Sequence, residues 1–402
     1  MSAGSPRDTV IEPYTLDVPR RRDPYPYYAQ LREVDPAHYS PVEDIWVLTR
    51  FDDCVAAFSD WQTWSSERRG NLLNDLPERI GRTLGTTDPP RHTWARRLVN
   101  TAFTPRIVAG LEPLIRELSA RLHDAACRKG TFEYVHDISA PLNARILGAM
   151  FGVPEEEFLR VRGWLDDFFV RDKPEPGREP RQVVAMRQLR AYVDTLVAER
   201  LRRPGDDLMS AMLRAREGDM ALSHEQVAVT TMTFLTAGFE STNNLFTNMS
   251  AALAAFPDVL ARLRRERAAV PAFVEEAMRW DAAAQGFVRT PTRDVELHGK
   301  IIPTGAQVLV HIGAANRDPR AFPDPDRFDL DRTGTRHLGL GQGAHFCIGG
   351  PLARVLARVA AEDLVARAAR IEINPETAVR VSTPNFRGFQ HLDVTVSPGS
   401  SD

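Results

Sequence analysis

The sequence predicts a mainly α-helical protein with a minor β region. Apolar residues recur at helical spacing through most of the chain, and the longest such pattern runs from residue 223 to about residue 255. Short runs rich in β-branched residues follow Trp280, and residues 370–396 alternate enough to form a small sheet. Helices therefore dominate, and the strands gather mostly in the second half of the chain.

Composition indicates an ordinary globular chain. The 402 residues carry a formal net charge of −3, which favours neither nucleic-acid binding nor an acidic tail. No linker-like stretch divides the chain, so we expect one domain over residues 1–402, with disordered tails at about 1–10 and 398–402. No apolar run approaches the roughly 18 residues of a membrane span, and the N-terminus lacks a signal-peptide core. We therefore expect a cytoplasmic protein without a membrane anchor, and its three scattered cysteines fit a reducing compartment.

The first half of the chain is expected to be helical apart from one strand and one long loop. A helix is expected near residues 27–33, a strand at residues 46–49, and a second helix from Phe51. Residues 65–87 are polar and irregular, and so long a loop in a compact domain is usually functional or disordered. Further helices are expected at residues 92–101, 106–129, 140–150, 155–169, 183–203 and 207–216, with a mobile connector at 172–181. Later strands are expected at residues 288–290, 295–297 and 307–310.

The longest predicted helix contains a stretch that breaks local rules. It opens with a capping-box pattern, in which Ser223 is followed three residues later by Gln226. Further on, Gly238 interrupts the helix at a cost of about 1 kcal/mol relative to alanine, and Glu240 and Ser241 interrupt its apolar character. Such violations often mark functional sites. The alternative is a polar patch with a glycine used for close packing.

A lone cysteine, Cys347, ends a glycine-rich run and precedes a helix with apolar residues at helical spacing. A helix N-terminus should lower the pKa of this cysteine and favour the thiolate, which binds metal. With His345 before it and Arg354 after it, the cysteine suggests a haem iron held by sulfur. A phosphate loop would need a Gly-Lys-Ser/Thr ending, and a zinc site about four ligands. An inert buried cysteine beside a glycine turn is the remaining alternative.

Residues 341–354 resemble the haem-binding signature of the cytochrome P450 family, Phe-Gly-x-Gly-x-His-x-Cys-x-Gly. The chain departs from this pattern at Leu340, where the family usually has phenylalanine. The resemblance covers nearly the whole chain, and it implies the cytochrome P450 fold, a triangular helical prism around haem with a long central helix. It implies haem b with the Cys347 thiolate as axial iron ligand. It also assigns cofactor contacts to Leu340, Gly341, His345 and Gly349.

The same resemblance assigns the oxygen site to the long helix. Ala237 and Gly238 would let haem and dioxygen approach the helix wall. Glu240 and Ser241 would form the catalytic acid–alcohol pair that delivers protons to bound oxygen. The family usually has threonine at the position of Ser241, and serine keeps the hydroxyl but lacks the methyl that stiffens the side chain.

Two groups of charged residues also match the family's motifs. Glu276 and Arg279 match its Glu-x-x-Arg, and Arg327 fits its later arginine motif. Because a guanidinium fork suits a carboxylate, we expect these three to form a buried structural network behind the haem.

A second set resembles the family's propionate-binding residues. His92 and Arg96 lie four apart and so share one helix face. Arg289 and His345 would complete the anion site, because a buried propionate is costly unless it is paired.

The family resemblance also predicts a largely apolar substrate pocket, built from separated segments. Its expected lining comprises Met232, Leu235, Phe239, Gln285, Phe287, Val288 and Phe386. Four arginines of the long loop are expected to face solvent rather than an anionic substrate, and they are Arg68, Arg69, Arg79 and Arg82.

The expected function is that of a haem-thiolate monooxygenase. It would use dioxygen and electrons ultimately from NAD(P)H, supplied by a ferredoxin and a ferredoxin reductase that dock on basic residues such as Arg97, Arg354 and Arg358. We expect a monomer that hydroxylates, epoxidises or couples a small organic substrate, free or carrier-bound, in bacterial secondary metabolism. The alternatives are a non-catalytic relative that activates a partner enzyme, a peroxide-driven enzyme and a haem sensor. Cys347 and the Glu240–Ser241 pair argue against the first two.

Overall fold

The computed structural model describes residues 22–73, 77–168, 179–381 and 383–398. The tails expected at the two termini lie outside these ranges, apart from residue 398. Most of the connector expected at residues 172–181 also lies outside them. Within the described ranges, no helix combines the length and apolar character needed to cross a lipid bilayer.

Helices build most of the described chain. In chain order they are α1 Tyr25–Val34, α2 Phe51–Ser59, α3 Arg91–Ala102, α4 Pro105–Cys127, α5 Ala140–Phe151, α6 Phe158–Phe168, α7 Arg181–Arg202, α8 Leu208–Arg214, α9 His224–Ala255, α10 Pro257–Arg265, α11 Val270–Trp280, α12 Ile312–Ala315 and α13 Gly350–Arg367. The mainly helical prediction is confirmed, and the expected helices agree with these bounds to within a few residues.

The strands form one larger sheet and several small ones. They are β1 Ala37–Ser40, β2 Ile45–Leu48, β3 Trp64–Ser65, β4 Thr131–Glu133, β5 Arg216–Glu217, β6 Met220–Ala221, β7 Phe287–Pro291, β8 Val295–Leu297, β9 Lys300–Ile302, β10 Val308–Val310, β11 Ala368–Ile373, β12 Val379–Arg380, β13 Phe389–His391 and β14 Asp393–Pro398. The five-stranded sheet has the order β1-β2-β10-β7-β3, with β2 and β10 parallel and its other pairs antiparallel. The small sheet expected near the end of the chain is present as β11-β14-β4.

The capping box predicted for α9 is present. The Ser223 hydroxyl oxygen accepts from the Gln226 backbone N–H at 3.1 Å, and the Gln226 side-chain oxygen accepts from the Ser223 backbone N–H at 2.8 Å. The two bonds satisfy N–H groups that a helix start otherwise leaves unpaired. They fix where this 32-residue helix begins.

Helix α9 runs through the main apolar core, where it packs against α5, α7, α11 and α13. A second apolar core joins the five-stranded sheet to α2. The segment before α13 contacts both regions, since Leu340 packs on the main core and Leu338 on the second. The loop that carries Cys347 therefore lies where the two cores meet.

Candidate active site

The loop that carries Cys347 depends on its glycines. Gly341 and Gly343 have φ values of +73° and +69°, in the left-handed region that other residues rarely adopt. A side chain at position 343 would also lie 2.5 Å from the backbone oxygen of Phe58. The Cys347 backbone N–H donates to the Leu340 carbonyl at 2.9 Å, which closes the loop. These constraints turn the cysteine back toward α9.

The prediction that the helix N-terminus lowers the pKa of Cys347 is wrong for the protein without a bound metal. Burial raises the pKa of this thiol above its ordinary value of 9.0. Backbone N–H groups of Gly349 and Gly350 and the nearby Arg96 and Arg354 lower the pKa, as expected for the start of α13, but burial outweighs them. A cation bound to the sulfur is therefore needed to favour the thiolate.

Cys347 faces a large cavity, which we call the central cavity. Together with its opening to solvent it has an empty volume of about 1850 Å³. On one side it is lined by the loop residues Leu340, Gly341, His345, Cys347 and Gly349, and on the other by Ala237, Gly238 and Ser241 of α9. The structure thus brings together two sequence motifs that lie about a hundred residues apart.

Arg96, Arg289 and His345 line this cavity, and His92 packs against His345; we call these four side chains the anion cluster. The rings of His92 and His345 lie against each other, tilted by 47°, with their centroids 4.3 Å apart. Both ring nitrogens of His92 and Nε2 of His345 are buried without a hydrogen-bond partner. Arg289 is 3% exposed, and its guanidinium donates to its own neighbour, the Val288 carbonyl, at 2.8 Å.

The charges and burial of the anion cluster favour the binding of a negatively charged group. Burial, with help from Arg96, lowers the pKa of His92 to about 4. Burial lowers the pKa of Arg289 to about 10, and burial followed by Arg289 lowers that of His345 to about 2. Within the described ranges, no carboxylate lies within ion-pair distance of Arg96 or Arg289, although buried charges are normally paired. Two ligand carboxylates in front of a cysteine sulfur would satisfy these groups, so the residues fit a haem with its two propionates.

The α9 side of the cavity presents a hydroxyl with an acid behind it. Ser241 lines the cavity, and its hydroxyl donates to the Ala237 carbonyl at 2.6 Å. Glu240 is not part of the cavity lining, and its carboxylate accepts from the Asn244 side chain at 3.0 Å. Burial raises the pKa of Glu240 to about 7, while Asn244 lowers it and Asp166 raises it further. Near neutral pH this acid can therefore both hold and release a proton.

A family model described as "Cytochrome P450" matches residues 181–389, which is more than half of the chain.

The chain belongs to the cytochrome P450 family.

Relatives agree over nearly the full length. Putative cytochrome P450 123 from Mycobacterium tuberculosis is 34% identical over 396 residues, which is 97% of each chain. The 6-deoxyerythronolide B hydroxylase of Saccharopolyspora erythraea is 34% identical over 391 residues, covering 92% of this chain and 96% of its own. The solved structure of cytochrome P450 CYP109Q5 from Chondromyces apiculatus is 32% identical, with a TM-score of 0.87, and covers 97% of this chain and 100% of that one. The chain is thus a cytochrome P450 monooxygenase with the P450 fold, and its family uses a haem with a cysteine thiolate and dioxygen.

The buried ion network of this P450 differs in one member from the prediction. Arg279 holds the Glu276 carboxylate through two bonds of 2.7 Å, as expected. The second arginine on that carboxylate is Arg332, whose Nε donates to Glu276 at 3.2 Å. The side chain of Arg327 is exposed, and this residue contributes its backbone carbonyl, which accepts from Arg279 at 3.1 Å. Glu276 also accepts from the Asp329 backbone N–H at 2.9 Å, so the loop positions Arg332 through the main chain.

The predicted substrate lining is partly wrong. Phe287 and Phe386 line the central cavity. Leu235, Phe239, Gln285 and Val288 are buried elsewhere: the first two lie in the main core, Val288 packs around α1, and the Gln285 amide donates to the Ala282 carbonyl at 2.7 Å. Met232 lines a second space, of about 800 Å³, which we call the side cavity.

The side cavity adjoins the central cavity. Arg79, Phe168, Thr233 and Thr236 line both. The expectation that Arg79 faces only solvent is therefore wrong. Arg82 also lines the side cavity, although its side chain is exposed as expected.

Sequence reasoning also missed Thr233 and Thr242 as cavity residues. The signal was available for the first, because Thr233, Ala237 and Ser241 follow one another at four-residue spacing and so share one face of α9.

Proposed function

We propose that this P450 transfers one oxygen atom of dioxygen to a small organic substrate, with two electrons from a separate redox partner. The observation that carries the proposal is the central cavity, which has Cys347 on one wall, Ser241 on the other and the anion cluster at its edge. A metal–sulfur centre, a proton donor and space for a substrate thus share one enclosure.

We assign the cofactor-binding roles from this geometry. Cys347 would hold the iron, and the anion cluster would hold the propionates, whose negative charge would raise the pKa values of His92 and His345. Once bound, the haem supplies the one-electron and oxygen chemistry that amino-acid side chains lack. Leu340 and Gly349 lie on the cysteine side of the cavity, and Ala237 and Gly238 on the other.

We assign proton delivery to Glu240 and Ser241. The Ser241 hydroxyl already points its hydrogen at a helix carbonyl, so a rotation about one side-chain bond presents it to the cavity. Glu240, with its pKa of about 7, would return a proton to the Ser241 hydroxyl through water at neutral pH. The pair then supplies the protons that turn the second oxygen atom into water.

The substrate is expected to be an apolar molecule with few polar groups. Phe287 and Phe386 give the central cavity an apolar wall, and the side cavity leaves room for a longer molecule whose polar end would meet Arg79. A relative named for hydroxylation of 6-deoxyerythronolide B supports a role in secondary metabolism. Hydroxylation, epoxidation and coupling all fit this enclosure, for a free or a carrier-bound substrate.

Electrons are proposed to come from NAD(P)H through a ferredoxin reductase and a ferredoxin. The arginines expected to dock the ferredoxin are each paired: Arg97 with Glu217, Arg354 with Glu275, and Arg358 with Glu112 and Glu362. Arg336 offers a different contact. Its exposed guanidinium stacks on Phe346, next to Cys347, at 4.2 Å from the ring centroid.

We further propose a monomeric protein of the cytoplasm that forms one domain. The single-domain proposal is supported by the central cavity, whose lining extends from Phe58 to Phe386 and so draws on most of the described chain.

The reduced protein with bound carbon monoxide provides the test. A cysteine thiolate ligand is expected to give an absorption band at about 450 nm, and Cys347→Ser should lose it. Steady oxygen consumption with a surrogate ferredoxin and its reductase, rising with a ligand that displaces haem-bound water, would support catalysis. A folded, haem-loaded protein that lacks the band, or that never consumes oxygen, would favour the non-catalytic alternative. Turnover with peroxide but not with reduced partner would favour the peroxide-driven one.

A further inference from the structure

Three consecutive carbonyls of α9 accept hydrogen bonds from side chains at the cavity wall. The Ala237 carbonyl accepts from the Ser241 hydroxyl at 2.6 Å. The carbonyls of Gly238 and Phe239 accept from the side-chain amide of Asn143, at 3.1 and 2.9 Å. Asn143 belongs to α5, so these bonds tie two helices together immediately before the catalytic pair.

The chemistry of the contact fixes which end of the Asn143 amide faces α9. Carbonyl oxygens can only accept, and so can the Asn243 side-chain oxygen, which lies 3.2 Å from the same nitrogen. The NH₂ group must therefore face all three oxygens. Asn143 has no solvent exposure and its side-chain oxygen has no hydrogen-bond partner in the described ranges, so the bonds of its NH₂ group are the ones that hold this side chain.

Gly238 allows this contact. A side chain at position 238 would lie 3.2 Å from a methyl of Leu147, which is one turn after Asn143 on α5. The absence of that side chain lets α5 approach α9 closely enough for a short side chain to reach the main chain. The glycine expected to admit the cofactor therefore also serves a helix contact, although Gly238 lines the central cavity as well.

We propose that Asn143 is a positioning residue for proton delivery. By holding the Gly238 and Phe239 carbonyls, its amide fixes the turn of α9 that carries Glu240 and Ser241. This fixes how far the Ser241 hydroxyl stands from the centre of the cavity. The proposal rests on the monooxygenase function and on the roles assigned to Glu240 and Ser241.

A second asparagine gives a matched comparison. Asn248, two turns further along α9, is also buried, and its amide donates to the carbonyls of Asp281 and Arg387, both at 2.9 Å. It has the same side chain and the same type of bond, but its bonds leave α9 away from the cavity. Any general loss of stability from removing a buried, hydrogen-bonded asparagine should therefore be similar when either Asn143 or Asn248 is replaced.

The test compares haem-loaded Asn143→Leu, Asn143→Gln and Asn248→Leu with the unsubstituted enzyme. The assay uses a surrogate ferredoxin, its reductase and NADPH, with a ligand that displaces haem-bound water, and measures the hydrogen peroxide released per NADPH consumed. Because an oriented general acid contributes about 10²–10⁴-fold, Asn143→Leu is expected to raise the hydrogen peroxide released per NADPH severalfold. Asn143→Gln keeps the donor and should recover part of the coupling, while Asn248→Leu should leave it unchanged.

A readout independent of turnover is hydrogen exchange of the backbone amides at residues 237–244. Exchange there should be faster in Asn143→Leu and unchanged in Asn248→Leu, with the carbon monoxide band intact in both. Equal peroxide fractions and equal exchange in all proteins would overturn the positioning role. If no protein consumed oxygen, the proposed function would fail, while the exchange data would still decide whether Asn143 holds this turn.

Discussion

At the scale of single residues, Arg289 shows that the site is built at a cost to the haem-free chain. Its buried guanidinium, 3% exposed, has no carboxylate within ion-pair distance in the described ranges. Arg289→Leu is expected to stabilise the haem-free protein against urea by about 1–3 kcal/mol, because it removes a buried charge that Asp88 favours only from beyond ion-pair distance. The same variant should lose haem faster to a competing apoprotein, since one of the proposed propionate partners is gone.

Arg293 provides the control for this prediction. It follows β7, which carries Arg289, but its side chain is exposed. Arg293 donates one hydrogen bond, to the Thr63 hydroxyl at 3.2 Å, so Arg293→Leu should not raise the unfolding midpoint and should leave the rate of haem loss unchanged. A haem-free Arg289→Leu protein that unfolds at lower urea than the unsubstituted one would contradict the view that this charge is held for a ligand.

Glu240 should make stability depend on pH. Because burial raises its pKa from 4.5 to about 7, the folded protein holds a proton that the unfolded chain releases in that window. The contribution of Glu240 is therefore lost progressively as pH rises from 4.5 through 7. Glu240→Gln should remove this dependence, so that the variant gains stability relative to the unsubstituted protein between about pH 5 and pH 8. Urea unfolding at both pH values checks this, and a constant difference would show that Glu240 has no raised pKa.

At the scale of elements, the Glu276 network ties α11 to the loop before the cysteine. Arg332→Ala is expected to lower the free energy of unfolding by about 1–3 kcal/mol, because the buried Glu276 carboxylate loses one charged donor. Arg327→Ala should have almost no effect, since Arg327 contributes only a backbone carbonyl, which alanine retains. Urea unfolding of the two variants decides between the arginines, and the reverse order would restore the sequence-based assignment.

The faces of α9 illustrate what the sequence allows and what was missed. Leu235 and Phe239 were expected in the substrate pocket, yet they lie two residues from Ala237 and Ser241, which is about 200° around a helix. Residues so placed face opposite sides, and the structure buries the first pair in the main core. Helical spacing alone would therefore have predicted that Leu235 and Phe239 face away from the cavity. By contrast, which of Arg327 and Arg332 binds the Glu276 carboxylate depends on the path of an irregular loop. Hydrophobic periodicity does not predict that path.

At the scale of the whole molecule, the order of the sequence motifs predicted the fold and the family. It did not predict how deeply individual side chains are buried. The helix pattern and the motifs around Cys347 and Glu276 predicted the architecture, because each has a strong local signal. The raised pKa of the Cys347 thiol could not be foreseen, since the helix-terminus effect is local while burial depends on everything packed around the sulfur. Asn143 was missed for the same reason: its partners lie on another helix.

Electron supply is a property of the molecular surface, and Arg336 gives it a test. Arg336→Glu is expected to slow the first electron transfer from an acidic ferredoxin severalfold at low salt, with the difference shrinking as salt screens the charges. The control is Arg160→Glu, because Arg160 also stacks on an aromatic ring, Trp164, but belongs to α6. Stopped-flow reduction measures both variants. Equal slowing in the two, or none in Arg336→Glu, would exclude Arg336 from the docking surface.

The wall between the two cavities has a consequence for selectivity. Thr233 and Thr236 lie one turn apart on α9 and line both cavities, so a long substrate that occupied both spaces would contact these two side chains. A compound whose end is anchored near Arg79 would present to the iron whichever carbon lies at a set number of bonds from that end. Thr233→Ser or Thr236→Ser, each of which removes one methyl group, would then change which carbon of the substrate is oxidised. The chemistry at Cys347 would stay the same.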